Sequence, residues 1–155
     1  MLFVVLTVGD AKYALDARQV IEVVPLVTLR ACVGAPASIA GLANYRGTSV
    51  PILDLGRLLG GAPCVLYLST RIILLSHAGA HGVSRVIGLL AETVTNTVVR
   101  EEADFCQQNL DAPETSCLGK LAVCGTGFIQ RIEVSRLVPK ALERLLFAEP
   151  EPAAS

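Results

Sequence analysis

The sequence contains no tryptophan, one methionine and two histidines in 155 residues, and aromatic side chains make up only 5% of it. Imidazole chemistry therefore has little to work with. His77 and His81 share one glycine-containing stretch, Ser76-His77-Ala78-Gly79-Ala80-His81-Gly82, and read as two exposed imidazoles of a hairpin loop. A histidine pair four apart binds zinc from one face of a helix, and two glycines in this stretch argue against that helix. No C-x-x-C occurs. The five cysteines (Cys32, Cys64, Cys106, Cys117 and Cys124) are odd in number and irregular in spacing. That excludes a secreted disulfide scaffold and suits small core or surface thiols in a reducing cytosol. G-x-S-x-G, H-E-x-x-H and G-x-x-x-x-G-K-[ST] are all missing. Asp54 and Glu22 have no local acidic partner for acid/base pairing. The expectation is a binding module with no catalytic set, no cofactor and no metal.

Charge is scarce as well. Charged residues amount to 17%, and 13 Lys and Arg stand against 14 Asp and Glu for a net charge of −1. A nucleic-acid binder needs a basic surplus to release counterions, and a membrane anchor needs a polybasic cluster; neither is present. Apolar runs are frequent but short. Residues 2–8 stop at Gly9-Asp10, and Arg71 interrupts before residues 72–75, so no run spans a bilayer. Met1-Leu2-Phe3 has no basic segment ahead of it and no cleavage pattern behind it, which reads against a secretory signal. Yet 52% of the residues are apolar. Disorder is excluded, and that much apolar surface goes either into a large core or onto a face meant for partners.

Period-two patterning and turn residues predict about ten short strands. Residues 3–8 and 12–15 form a hairpin around Gly9-Asp10, and Asp16 caps a turn running to Val20. A strand over 21–24 stops at Pro25. Strands over 39–45 and 48–53 join across Arg46-Gly47, with Pro51 marking an edge position or a bulge. Residues 55–59 make a helical turn ended by Gly60-Gly61. Strands over 71–76 and 83–90 flank the His/Gly loop, and 93–99 continues the sheet. Residues 101–117 read as a polar surface excursion. Residues 118–124 and 128–133 form a last hairpin, 140–147 a short helix after Pro139, and 149–155 a disordered tail. The pattern is that of an all-β barrel or sandwich, and the wide break near 60–69 suggests two barrel-like lobes.

The stretch Ile39-Ala40-Gly41-Leu42-Ala43-Asn44-Tyr45-Arg46-Gly47-Thr48-Ser49-Val50-Pro51-Ile52-Leu53-Asp54-Leu55 resembles the CheW family of chemotaxis coupling proteins. It matches G-[hydrophobic]-x-N-x-R-G-x-x-[hydrophobic]-P-[hydrophobic]-x-D-L at Gly41, Asn44, Arg46, Gly47, Pro51, Asp54 and Leu55. Tyr13-Ala14-Leu15-Asp16 and Val20-Ile21-Glu22-Val23 are similar to the family's opening strands, Gly88-Leu89-Leu90-Ala91 to a later one, and Ile132-Glu133-Val134 to its closing strand. Glu92 stands where the family usually has aspartate. The resemblance covers about residues 2–138.

What the resemblance implies is one domain over 1–148, built of two interleaved, SH3-like, five-stranded β-barrel lobes with short helical segments. It implies a cytoplasmic, non-catalytic adaptor between the cytoplasmic tip of a methyl-accepting chemoreceptor and the regulatory domain of a CheA-type histidine kinase. The residues it points to for these contacts are Arg46, Glu22, Val20, Ile39, Gly41, Asn44, Gly47, Gly88 and Val98, with Glu22 as the acidic partner of Arg46. Two other readings stay open. One is a small β-barrel enzyme or thiol-dependent protein using Cys117 or Cys124; the other is a CheW-like piece of a larger kinase or receiver fusion.

Overall fold

The computed structural model describes residues 1–78, 84–106 and 117–138. β-Branched runs punctuated by glycine and asparagine produce eleven strands among them. These are β1 (Leu2–Val8), β2 (Ala11–Asp16), β3 (Val20–Pro25), β4 (Ile39–Tyr45), β5 (Thr48–Asp54), β6 (Arg71–Ala78), β7 (Ser84–Ala91), β8 (Thr93–Val99), β9 (Phe105–Cys106), β10 (Leu118–Cys124) and β11 (Gly127–Ile132). One short helix, α1 (Leu55–Leu58), follows β5. The expected cap is present: the Asp16 carboxylate accepts from the Arg18 amide at 3.0 Å and opens a 3₁₀ turn over Ala17–Gln19. The helix expected over 140–147 and the tail over 149–155 lie outside the described residues, as does His81.

The strands form a six-stranded sheet in the order β8-β1-β2-β11-β10-β9 and a five-stranded sheet in the order β3-β6-β7-β5-β4. The chain leaves the first sheet after β2, completes the second, and returns at β8. The break near 60–69 therefore does not divide the lobes, as its composition suggested. It joins β5 and α1 to β6 within one sheet, and the crossings fall at residues 17–19 and at Glu92. Gly60 has φ +80°, so the turn chemistry there reverses the chain without changing its sheet.

The larger core takes Leu6, Leu15, Ile132 and Val134 from the six-stranded side, and Ile52, Leu53, Ile72 to Leu75, Ile87 and Leu89 from the other. A smaller one groups Phe3, Val5, Ala14, Phe105, Ala122 and Ile129. Strand β1 feeds both: Phe3 and Val5 on one face, Leu6 on the other. That double burial explains its apolar run over residues 2–6.

Three further expectations are corrected. His77 is not a loop imidazole; it sits in β6 opposite Arg85 and is only 2% exposed. Alternation along β6 carries Ile73, Leu75 and then His77 onto one face, so the strand outruns its glycine signal by two residues. Pro51 is not at a sheet edge, because β5 lies between β4 and β7. Its parallel partner begins only at Ile52, and the irregularity lies in β4, where Ile39 and Gly41 face Leu53 and Ile52. Residues 101–117 are not wholly a surface excursion. Phe105 returns to the smaller core with its ring 5.1 Å from that of Phe3, and Cys117 is buried.

Candidate partner-binding site

Tyr45 and Thr48 face each other across β4 and β5, which leaves a two-residue turn of Arg46 and Gly47. Both turn residues have positive φ, +51° and +84°. Such primed turns match the twist of the strands they join and favour Asn-Gly or Gly-Gly. Asn44 supports the turn through its side-chain oxygen, which accepts from the Gly47 amide at 2.9 Å. An arginine in the left-handed region is strained by about 1–2 kcal/mol, which asparagine or glycine would largely avoid. Turn stability does not account for Arg46.

Strands β3 and β4 are opposite edges of the five-stranded sheet. They nevertheless meet, because the sheet curls until Glu22 on β3 faces the end of β4. The Tyr45 hydroxyl donates to Glu22 Oε2 at 2.5 Å. Arg46 Nη2 lies 3.7 Å from the same oxygen, with the arginine side chain 78% and the glutamate side chain 43% exposed. The guanidinium carbon is 5.1 Å from the centroid of the Tyr45 ring. A pair this exposed contributes about 0–1 kcal/mol to folding. The hydrogen bond to Glu22, more than burial, pushes the Tyr45 hydroxyl above its ordinary pKa. The resemblance paired Glu22 with Arg46 but gave no sign of Tyr45 beside them. The signal for Tyr45 was a phenol at a strand end, beside the motif arginine.

Of the other predicted residues, Asn44 and Gly47 join Arg46 in the turn. Gly41 and Gly88 lie elsewhere. A Cβ on Gly41 would come 2.7 Å from the Arg30 carbonyl oxygen, where residue 30 pairs with Leu42 along the outer edge of β4. A Cβ on Gly88 would come 2.3 Å from Ile52 Cδ1 in the core. Val20 and Ile39 are half-buried against the larger core, whereas Val98 packs on the smaller one. An open depression of about 740 Å³ is lined by Leu26, Val27, Leu29, Ala40, Cys64 and Leu66 among others, but not by Val20, Ile39 or Val98.

The model of the CheW-like domain family matches residues 2–144. The chain belongs to that family. Its relatives include Protein FrzA of Myxococcus xanthus, 29% identical over 140 residues that cover 88% of this chain and 84% of that one. Another is Chemotaxis protein CheW of Klebsiella aerogenes, 25% identical over 142 residues, covering 88% and 80%. The fold matches the crystal structure of scaffolding protein TtCheW from Thermoanaerobacter tengcongensis at a TM-score of 0.79, with 24% identity over 89% of this chain and 87% of that one. The all-β architecture of two SH3-like lobes is thereby established.

Two buried acids hold the loop between α1 and β6 in this CheW-like fold. Glu92 accepts from the Gly9 amide at 2.7 Å through one oxygen and from the Val65 amide at 2.6 Å through the other. Asp54 caps α1 and also accepts from the Cys64 amide at 3.1 Å. The loop they hold presents Val65, Leu66, Tyr67 and Leu68 to solvent. Beneath it, burial pushes the Cys64 thiol up to about 12, so it stays a protonated core group. Among the described residues no group of three metal-ligating side chains converges.

Proposed function

We propose that this CheW-family chain is a non-catalytic coupling adaptor joining the cytoplasmic tip of a methyl-accepting chemoreceptor to the regulatory domain of a CheA-type histidine kinase. The observation that carries the reading is Arg46: exposed, on a turn that asparagine would serve with less strain, and with a single loose ion pair among the described residues. Arg46 supplies the polar contact, with Glu22 as the acid beside it within the chain. Val20, Ile39 and Val98 supply apolar surface to a helical partner, whose side chains at i, i+3, i+4 and i+7 would enter it. Asn44 and Gly47 hold the turn, and Gly41 and Gly88 let the strands behind it pack. The functional unit is a single domain over 1–148 of two interleaved lobes, followed by a tail. Its place is the cytoplasmic face of receptor arrays; among the described residues no helix is long and apolar enough to cross a membrane.

Calorimetric titration with the regulatory domain of the cognate kinase tests the assignment. Micromolar or tighter binding is expected, roughly −8 kcal/mol. Arg46→Ala should weaken assembly with the receptor tip and kinase roughly tenfold or more, as for a desolvated charge at an interface, while the melting temperature stays near wild type. Arg46→Lys should recover part of the loss, since an ammonium cannot form a bidentate fork. Absence of binding to the cognate kinase rejects the function, and normal assembly of Arg46→Ala rejects the site.

A further inference from the structure

We infer that Tyr45 is a positioning residue: its hydroxyl holds the Glu22 carboxylate where Arg46 does not close on it in a bidentate fork, and so keeps the guanidinium available to a carboxylate on the partner. The inference rests on the reading of Arg46 as the contact residue. Its ground is that two donors approach one oxygen and only the phenol is within hydrogen-bond range. The phenol is 2.5 Å from Glu22 Oε2, the length of a strong hydrogen bond to a carboxylate. Arg46 Nη2 is 3.7 Å from that oxygen, outside hydrogen-bond range. Arginine and carboxylate ordinarily close into a bidentate fork, the geometry their planar groups share. Here the carboxylate is held by the tyrosine instead.

The same residue gives the guanidinium another place to rest. The Tyr45 ring packs in part against the larger core, and the guanidinium carbon sits 5.1 Å from its centroid. A cation on a ring face keeps its N–H donors directed outward in the ring's periphery, where an incoming carboxylate can meet them. Among the described residues Arg46 makes no hydrogen bond and no other ion pair. The partner chemistry that fits is an acidic side chain on a helix surface. Glu22 itself, held by the phenol, is prevented from competing for it.

Tyr45→Phe removes one oxygen and keeps the ring. Glu22 Oε2 then loses its short donor, and Arg46 closes onto it. A partner carboxylate must displace Glu22, so affinity should fall by about threefold to fivefold, the range of an exposed ion pair. The probe is a purified helical-hairpin fragment of the cognate receptor tip, titrated against the whole chain. In the free protein, the Arg46 Nε–H resonance should show slower solvent exchange in Tyr45→Phe than in wild type, a change that loss of packing would not produce. Adding Glu22→Gln to Tyr45→Phe should restore affinity, because a neutral amide does not hold the guanidinium. Arg46→Ala is the control. If it binds the fragment like wild type, the contact reading fails and this inference with it. If Arg46→Ala weakens binding but Tyr45→Phe does not, or if Glu22→Gln brings no recovery, the positioning role alone is overturned.

Discussion

Replacing Glu92 by glutamine should loosen both lobes at once. The carboxylate lies on the crossing from β7 to β8 and takes one amide from each side: Gly9 from the β1–β2 turn and Val65 from the loop before β6. Glutamine keeps the volume and one acceptor oxygen, but turns an NH₂ toward the second donor. One hydrogen bond to a charged group is lost, worth about 1.5–3 kcal/mol, and a partly buried N–H is left facing another donor. Water reaches part of that site, so the lower end of the unsatisfied-donor penalty applies, and the expected loss is about 2–3 kcal/mol. For a domain of this size that is roughly 5–10 °C in melting temperature. Glu92→Asp should also be destabilising: a side chain shorter by one carbon–carbon bond, about 1.5 Å, cannot reach both amides. Denaturant titration measures the loss. Amide hydrogen exchange locates it, with Gly9 and Val65 both losing protection in Glu92→Gln. A variant within about 0.5 kcal/mol of wild type, the usual range for an unremarkable surface site, would refute the reasoning. So would unchanged protection at the two amides.

Two further outcomes follow from the core and the thiols. Gly88→Ala should cost about 1–3 kcal/mol by overpacking against Ile52, and Ile52→Val, which removes the atom in the way, should be less harmful in that background than alone; additive losses in denaturant titrations would rule out the contact. In native protein at pH 8, iodoacetamide should modify exposed Cys106 early and the buried Cys64 last, since a thiol at about 12 holds about three orders of magnitude less thiolate than an ordinary one; equal labelling of the two by peptide mass spectrometry would contradict the burial.

Local features of the fold were legible because they are encoded locally. Gly9-Asp10, the Asp16 cap and Arg46-Gly47 each set backbone geometry within a few residues, and the hairpins and caps they predict are present. Which strands become neighbours is not encoded that way. The parallel pairings of β5 with β7 and of β2 with β11 join segments whose patterns say only that they are strands. The division into lobes was misjudged for the same reason: a glycine-rich break marks a turn, and sheet membership depends on collective packing. Phe105 is an extreme case, the one aromatic residue in a polar stretch, and it finds the Phe3 ring across about a hundred residues of chain.

The candidate site divides along the same line. The motif over residues 41–55 marks a local structure, and the structure assigns its members separate tasks. Gly41 is small because a backbone carbonyl lies where a Cβ would go, as Gly88, outside the motif, is small because of a core isoleucine. Asn44 and Gly47 stabilise a turn of positive φ. Pro51 and Asp54 belong to the strand and to the cap of α1. Each of these is accounted for by folding. Arg46 is not: its backbone is strained, its side chain is exposed, and the ion pair it makes is too loose and too wet to offset that strain. A residue that costs stability where it stands, beside a tyrosine that engages the acid it could otherwise close on, is the ground on which we propose a contact made outside the chain. The part of Tyr45 had to come from geometry, because Glu22 and Tyr45 are 23 positions apart and meet only when the sheet curls its two edges together.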